Sequence, residues 1–391
     1  MGAPATIQRI VVRLSRRFPF VQIAAVDVIP IRAPRKEVVR SGTGARPVTY
    51  SDFGIVRLVT DAGLEGYGEI SITAPPIGHV LCHAAETLIA PAVAGLDPVG
   101  FPAVLATVDQ LLNGELSAPY LRAAFEMALL DITGKHYGIP VYQLLGGKVR
   151  DAVPLAWGIY QKSPEEMAAD ARLAVDAGFQ AIKLKVGRAL SDDVAAVRAV
   201  STALNHQVPL RLDANMAWQS VPEAAMAIDA LAREAPIAWI EQPLARHNLE
   251  GLALLRQRSG VPIMADESLH SLVDAFSLAK AQAADVWNVY VVEAGGLLPA
   301  AHILALAAAL DIPCILGSQA ELGIGTAAAA HLGVASPALT RPSETFGPLR
   351  YERDIVTTGA TIAKGLLTPS DEPGLGLDPD WDTIEAWRVE R

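Results

Sequence analysis

AIKLKV (181–186), PLRLDAN (209–215), AWIEQP (238–243) and PIMADES (262–268) repeat one design, apolar at the start and polar or charged toward the end. Three more segments share their length and apolar start: VPLAWGI (153–159), DVWNVYV (285–291) and PCILGSQ (313–319). Successive starts are 28, 28, 29, 24, 23 and 28 residues apart, and alanine-rich stretches with helical patterning fill the intervals. Strand and helix alternating at this interval imply a parallel sheet, and seven or more such units imply a closed barrel. The competing architecture, a doubly wound open sheet, calls for a glycine-rich phosphate turn after its first strand. The sequence has none there.

Upstream of the repeats the rhythm differs. VQIAAVDVIPI and FGIVRLVTDAGLEGYGE read as strands, the second closing on Gly66-Tyr67-Gly68-Glu69. Between them Arg32 to Asp52 reads as a long polar loop, of the kind that is functional or disordered. Helical patterns follow and stop at Gly146-Gly147. The chain therefore divides into an extension (1–22), an α+β unit (23–150), the barrel (151–345) and a C-terminal segment completing the first unit (346–391). The extension carries Arg9, Arg13, Arg16 and Arg17 and no acid. Met1-Gly2 with Thr6 fits an acylation spacing, and IQRIVVRLSRRF fits a basic amphipathic helix. Both matches are short enough to arise by chance.

Composition narrows the function. A net charge of −10 argues against nucleic acid or an anionic membrane as partner. No segment reaches the roughly 18 apolar residues needed to span a bilayer. The two cysteines, Cys82 and Cys314, are far apart, so neither a disulfide framework nor a thiolate metal site follows, and a reducing cytoplasm fits best.

Barrel strands are mostly apolar, so their polar exceptions carry information. Here they collect at C-terminal strand ends: Lys183 and Lys185, Asp213 and Asn215, Glu241, then Asp266 and Glu267. Those ends share the rim on which barrel active sites are built. Residues i and i+2 face the same side of a strand, so Lys183 points with Lys185 and Asp213 with Asn215. Three carboxylates converging from adjacent strands repel unless a cation joins them. An all-oxygen set suits Mg²⁺, whereas zinc would call for histidine or cysteine. A lysine beside a second ammonium, a divalent cation and an apolar wall is expected to titrate below its usual value of about 10.4 and to serve as a base. Metal and lysine together suit removal of a proton next to a substrate carboxylate, through an enediolate.

These residues resemble the enolase superfamily, and within it the muconate-lactonizing subgroup. The likeness runs from Val21 to Leu377. It includes DAGLEGYGE (61–69), ALLDITGKHYGIPVYQLLGG (128–147), KLK, LDAN, EQP, ADES, the Gly295-Gly296 pair and SETFGPL (343–349). The resemblance implies a modified (β/α)₇β TIM-type barrel, an α/β fold, with an α+β capping domain. It implies Mg²⁺, with Mn²⁺ as a substitute, on Asp213, Glu241 and Asp266. Lys185 would be the acid/base and Lys183 its tuner, in a homo-oligomer acting on a small carboxylate. Asn215 and Glu267 would support the site on its substrate side, and Glu344 matches a family glutamate at the closing strand; Ser318 and Glu321, by their position at the seventh strand's end, are expected to contact substrate. Arg40 and Tyr50 would close over the substrate.

One position departs from the pattern. The family places a second lysine on the sixth strand, five residues before the double glycine, and this chain has Tyr290 there. A 1,1-proton transfer needs a base on each face of the planar intermediate, and a phenol of pKa near 10 is a reluctant one. Tyr290 therefore favours single-base chemistry, either cycloisomerisation of a muconate-type diacid or β-elimination of a hydroxy acid. The alternatives are a two-base racemase or epimerase of amino-acid derivatives and an inactive binding barrel. Among the histidines only His270, just past ADES, is placed to reach the rim.

Overall fold

The structure, a computed structural model, describes residues 20–39, 48–72, 77–113 and 118–389. Strands β1 (Ile23–Val39), β2 (Val48–Thr60) and β3 (Glu65–Ser71) form an antiparallel sheet in that order. Alternation drives it: Ile29, Ile31 and Ala33 of β1 are buried on one face. The segment from Arg32 to Asp52, expected as a loop, is mostly strand. β1 continues to Val39 and β2 starts at Val48. Its polar residues pair across the ribbon, Arg32 with Asp52 at 2.8 Å and Arg35 with Ser51 at 2.9 Å. Polar cross-strand pairs hold a ribbon as apolar ones do, and a hydropathy reading does not see them.

Helices α1 (Ile77–Ala84) and α3 (Ala118–Tyr137) cover this sheet, and α2 (Phe101–Leu112) packs against α3. Buried residues occur all around α3, because it lies between the cap sheet and the barrel. Gly68 permits that contact, since a Cβ there would sit 1.8 Å from the Ala124 carbonyl oxygen.

In the barrel, Val153–Pro154 (β4) pairs antiparallel with Leu366–Leu367, and Ala156–Ile159 (β5) is the first strand of the parallel sheet. The segment expected as one strand thus splits at Leu155. Strands β6 (Ala181–Lys185), β7 (Leu210–Asp213), β8 (Ile237–Glu241), β9 (Ile263–Ala265), β10 (Val286–Val289) and β11 (Cys314–Leu316) follow, each paired with its neighbours in sequence. Leu339 bridges Cys314 and Ser343 bridges Leu155, so the last pass closes the ring between β11 and β5. This is a modified barrel, β/α units with a short closing strand.

Helices α4 (Pro164–Asp176), α5 (Leu190–Ala203), α6 (Val221–Ala232), α7 (Leu249–Arg258), α8 (Leu272–Ala281), α9 (Leu297–Ala309) and α10 (Gly323–Ala335) connect the strands. Several begin on a side-chain cap: Ser163 with Glu166 in a capping box, Ser220, Asn248 and Ser271. The chain then returns to the cap. Helix α11 (Trp381–Trp387) is followed by Val389, whose N–H donates to the Pro30 carbonyl of β1 at 3.0 Å. Among the described residues no helix is long and apolar enough to cross a membrane.

One buried carboxylate ties cap to barrel. Glu69 on β3 accepts the N–H groups of Leu322 and Gly325 at the start of α10, both at 2.9 Å, and the Ser71 hydroxyl at 2.6 Å. Burial pushes its carboxyl up to about 7, against the downward pull of those three donors.

Candidate active site

Strand register brings the site together. Lys185 pairs with Asp213, Asp213 with Glu241 and Glu241 with Met264, so the ends of four neighbouring strands lie at one height. Asp266 follows two residues after Met264, just beyond β9. Side-chain oxygens of Asp213, Glu241 and Asp266 fall within 4.8 Å of one another, and all three residues are buried. The backbone strains to achieve this: Asn215, Met216 and Gln242 adopt φ of 41°, 62° and 36°, in the left-handed region. Gln242 also positions Asp266. Its side-chain oxygen accepts the N–H groups of Asp266 and Ser268 at 3.0 and 3.1 Å.

The electrostatics of these acids call for a cation. Burial raises the Glu241 carboxyl well above its ordinary range, and Asp213 repels it further. Burial, then Glu267 and Asp213, do the same to Asp266. Asp213 alone is held low, because Lys185 and Lys183 outweigh its burial. Nearby, the Asn215 and Asn288 side-chain oxygens and Glu267 Oε2 are buried without a hydrogen-bond partner. Such orphaned oxygens are rare unless something positive or a donor meets them. An all-oxygen set of three buried carboxylates, with no sulfur or imidazole, fits a hard divalent cation such as Mg²⁺.

Both lysines point into the same cavity. The Lys183 ammonium lies 3.0 Å from Glu241, 3.2 Å from Asp213 and 2.5 Å from Glu344, and Lys185 lies 2.5 Å from Asp213. The expectation of a depressed lysine pKa included a divalent cation; with the protein's own groups alone, these contacts act in the opposite direction. Burial pushes the Lys185 amine down, but Asp213 more than offsets it and the net shift is upward. Lys183 is raised well above its usual value in the same way, with Glu241, Glu344 and Asp213 overcoming burial. With the protein's own groups alone, the acids win over the neighbouring ammonium.

Tyr290 closes the sixth barrel strand and is buried against the cavity. β6 and β10 are four places apart in a ring of seven strands closed by the Leu339–Ser343 pass, so Tyr290 and the lysines come to the cavity from opposite sides. Gly317 leaves room for the ring, since a Cβ there would lie 2.4 Å from two of its carbons. Asn288, which the sequence reading passed over, donates to Tyr290 Oη, Glu241 and Asp266, each at 3.3 Å. A polar residue inside an apolar barrel strand was the available signal. Burial raises the Tyr290 phenol well above 10, with Asp266 and Glu293 adding to it, so it does not ionise near neutral pH.

Asn215, Glu267, Ser318 and Glu344 also line the cavity, with Asn215 donating to Glu267 at 3.2 Å. The Ser318 hydroxyl is bonded to Glu321, which is buried behind it. Tyr50 stands elsewhere. Its ring stacks on Arg32, 4.2 Å from the guanidinium carbon, and it does not line the cavity. Arg40 lies outside the described residues. His270 meets the buried Glu293 at 3.2 Å, and Glu293 also receives the Tyr120 hydroxyl at 3.4 Å. Glu293, Arg35 and Arg350 line the cavity without having been singled out in the sequence. Two of them are arginines, which a linear reading assigns to solvent.

Comparison with known proteins agrees with this geometry. Residues 26–146 match the mandelate racemase/muconate lactonizing enzyme N-terminal domain, and residues 166–383 match the enolase C-terminal domain-like family. The L-Ala-D/L-Glu epimerase of Clostridium acetobutylicum is 34% identical over 90% of this chain and 96% of its own. Muconate cycloisomerase 1-2 of Acinetobacter lwoffii is 39% identical over 78% of each. The muconate lactonizing enzyme of Pseudomonas fluorescens, crystallised with muconolactone, superposes with a TM-score of 0.89 at 30% identity, covering 95% of this chain and all (100%) of that one.

Proposed function

Because the chain belongs to the mandelate racemase/muconate lactonizing enzyme family of the enolase superfamily, we propose that it is a Mg²⁺-dependent acid/base enzyme that moves a proton α to a substrate carboxylate with a single base. The observation that carries the reading is the pairing of Lys185 with the Asp213–Glu241–Asp266 cluster in a cavity whose far wall holds Tyr290 in place of a second lysine.

Asp213, Glu241 and Asp266 would hold the cation. When bound, it supplies charge stabilisation for the carboxylate as negative charge builds there. Lys185 gives or takes the proton at the α-carbon. Lys183, bound between Glu241 and Glu344, holds positive charge beside it and disfavours the charged form of the Lys185 amine. Asn288 orients Glu241 and Asp266 through its amide. The buried Tyr290 hydroxyl donates a hydrogen bond or packs on the substrate face away from Lys185. The reaction class is cycloisomerisation of a muconate-type diacid or β-elimination.

The test is a Mg²⁺-supplemented screen of muconates, hydroxyprolines and N-acyl amino acids in deuterated water, with Lys185→Ala as the blank. Turnover without inversion, lost in Lys185→Ala while Mg²⁺ still binds, is the expected result. Deuterium entry at the α-carbon with inversion would point to two bases and overturn the role given to Tyr290.

A further inference from the structure

Glu293 stands in the short helical turn Val291–Ala294 after β10, three residues beyond Tyr290. It is buried and lines the cavity, yet it belongs to neither the metal cluster nor the lysine pair. Three groups from separate elements converge on its carboxylate. Gln319, which also lines the cavity, donates to Oε1 at 2.5 Å, and the Tyr120 hydroxyl of α3 reaches the same oxygen at 3.4 Å. The other oxygen, Oε2, meets His270 Nε2 at 3.2 Å. Two donors on Oε1 leave Oε2 as the oxygen that carries a proton when the carboxyl is neutral.

Its surroundings favour that neutral form. Burial lifts the Glu293 carboxyl above its ordinary range, against the pull of His270, Gln319 and Tyr120. The other titratable groups that feel its charge, Asp266, Glu321 and Tyr290, bring no positive charge. His270 keeps 34% of its side chain exposed against 8% for Glu293, and that exposure lies outside the cavity. The pair therefore runs from the cavity to solvent, with an imidazole that can pass a proton at its outer end. Lys185 ends β6 and Glu293 follows β10, so amine and carboxyl come to the cavity from opposite sides.

We propose that Glu293 is the catalytic acid of a β-elimination: it protonates a hydroxyl on the carbon next to the one that Lys185 deprotonates, and His270 resupplies it from solvent. This role rests on the single-base reading of Lys185 and selects between the two reactions it allows. Cycloisomerisation moves one proton, at the α-carbon, and leaves Glu293 idle. Loss of a hydroxyl needs a second proton site, because hydroxide is a poor leaving group. Lys185 takes the α-proton and the C–H electron pair becomes the new C=C bond. The C–O bond breaks with its electrons, and the Oε2 proton turns the departing oxygen into water. Glu293 then takes a proton from His270, His270 takes one from solvent, and Lys185 releases its own. The substrate class is a small β-hydroxy carboxylic acid. His270 and Tyr120 act through Glu293 as positioning residues.

The experiment uses the full-length protein with Mg²⁺ and two pairs of acids, serine with 3-chloroalanine and malate with 2-chlorosuccinate, plus cis,cis-muconate. Members of a pair differ in the leaving group, and chloride departs without a proton. Turnover, and entry of deuterium at the α-carbon from deuterated water, are read by NMR. The wild type should eliminate water from at least one hydroxy acid. Glu293→Gln should lower that rate by about 10²–10⁴-fold, with a loss at least about tenfold smaller on the chloro partner. His270→Ala should lower it less, and added imidazole should restore it, which a purely structural role would not allow. Thermal melts verify folding, and His270, the more exposed of the two, keeps the test open if Glu293→Gln does not fold. Equal losses on both members of a pair, a Glu293→Gln loss under about tenfold, or no response to imidazole would overturn the acid and leave the functional reading standing. So would a wild type that cyclises muconate or exchanges the α-hydrogen but eliminates from neither hydroxy acid. No turnover and no exchange on any of these acids, or activity that survives in Lys185→Ala, would remove the functional reading and the acid with it.

Discussion

Replacing Asp266 by asparagine separates two properties that the metal cluster should show. In wild type, Mg²⁺ at a hundred times its Kd stabilises the folded state by about 2.7 kcal/mol. For 391 residues, an unfolding entropy of ~2.1 cal/mol/K per residue amounts to ~0.8 kcal/mol/K, so the melting temperature should rise by about 3 °C. If losing one of three carboxylates weakens affinity about a hundredfold, the same Mg²⁺ adds only ~0.4 kcal/mol, or about half a degree. In EDTA the sign is different. Burial, Glu267, Asp213 and Glu293 raise the Asp266 carboxyl well above its ordinary range, and Lys183 opposes them. A group whose folded pKa is raised contributes stability below its unfolded value, about 4 for aspartate, and that contribution is lost as pH rises toward the folded value. Asp266→Asn should therefore melt no lower than wild type in EDTA near neutral pH, and its stability should fall less as pH rises from about 4. Differential scanning calorimetry with Mg²⁺ and with EDTA, between pH 5 and 8, measures both. A variant that keeps the full Mg²⁺ shift would show that the cation binds elsewhere. One that melts far below wild type in EDTA would show that Asp266 is a stabilising carboxylate, contrary to the repulsion described here.

Two further outcomes follow from the geometry. Tyr290→Phe keeps the ring against Gly317 and removes only the hydroxyl, so kcat should fall by no more than about tenfold, the worth of one hydrogen bond. A loss of a thousandfold or more in steady-state kinetics would make the phenol a catalytic acid or base. Glu69→Gln replaces an acceptor of two backbone N–H groups with an amide that accepts at one end only, which should cost about 1–3 kcal/mol in urea unfolding. Since the Glu69 carboxyl is raised to about 7 from 4.5, wild-type stability should decline between those pH values, and the variant should decline less. A variant with an unchanged pH slope would place that titration elsewhere.

Several features could be read from the linear chain because they depend on local rules. The strand–helix interval, the alternation within strands and the collection of charges at strand ends are visible as spacing. A parallel barrel puts those ends on one rim whatever the loops do. Asp213, Glu241 and Asp266 were legible on that ground, and so were Lys183 and Lys185, because a charge inside an apolar barrel strand has few other uses. Tyr290 was legible as a departure from the pattern.

What the chain alone left open depends on contacts between distant residues. Nothing local tells that Arg32 meets Asp52, or that their ribbon continues through a stretch that hydropathy marks as a loop. Nothing local brings Arg35 from the cap into the cavity, joins His270 to Glu293, or sets Glu69 on the start of α10 about 250 residues away. The charge state of the lysines belongs here too. It follows from the distances to Asp213, Glu241 and Glu344 and from the depth of burial, which only the packed structure sets. Local periodicity determined the barrel and its rim. Burial and long-range pairing decided which charges on that rim are matched and which polar atoms, such as the Asn215 and Asn288 side-chain oxygens, are buried without a partner.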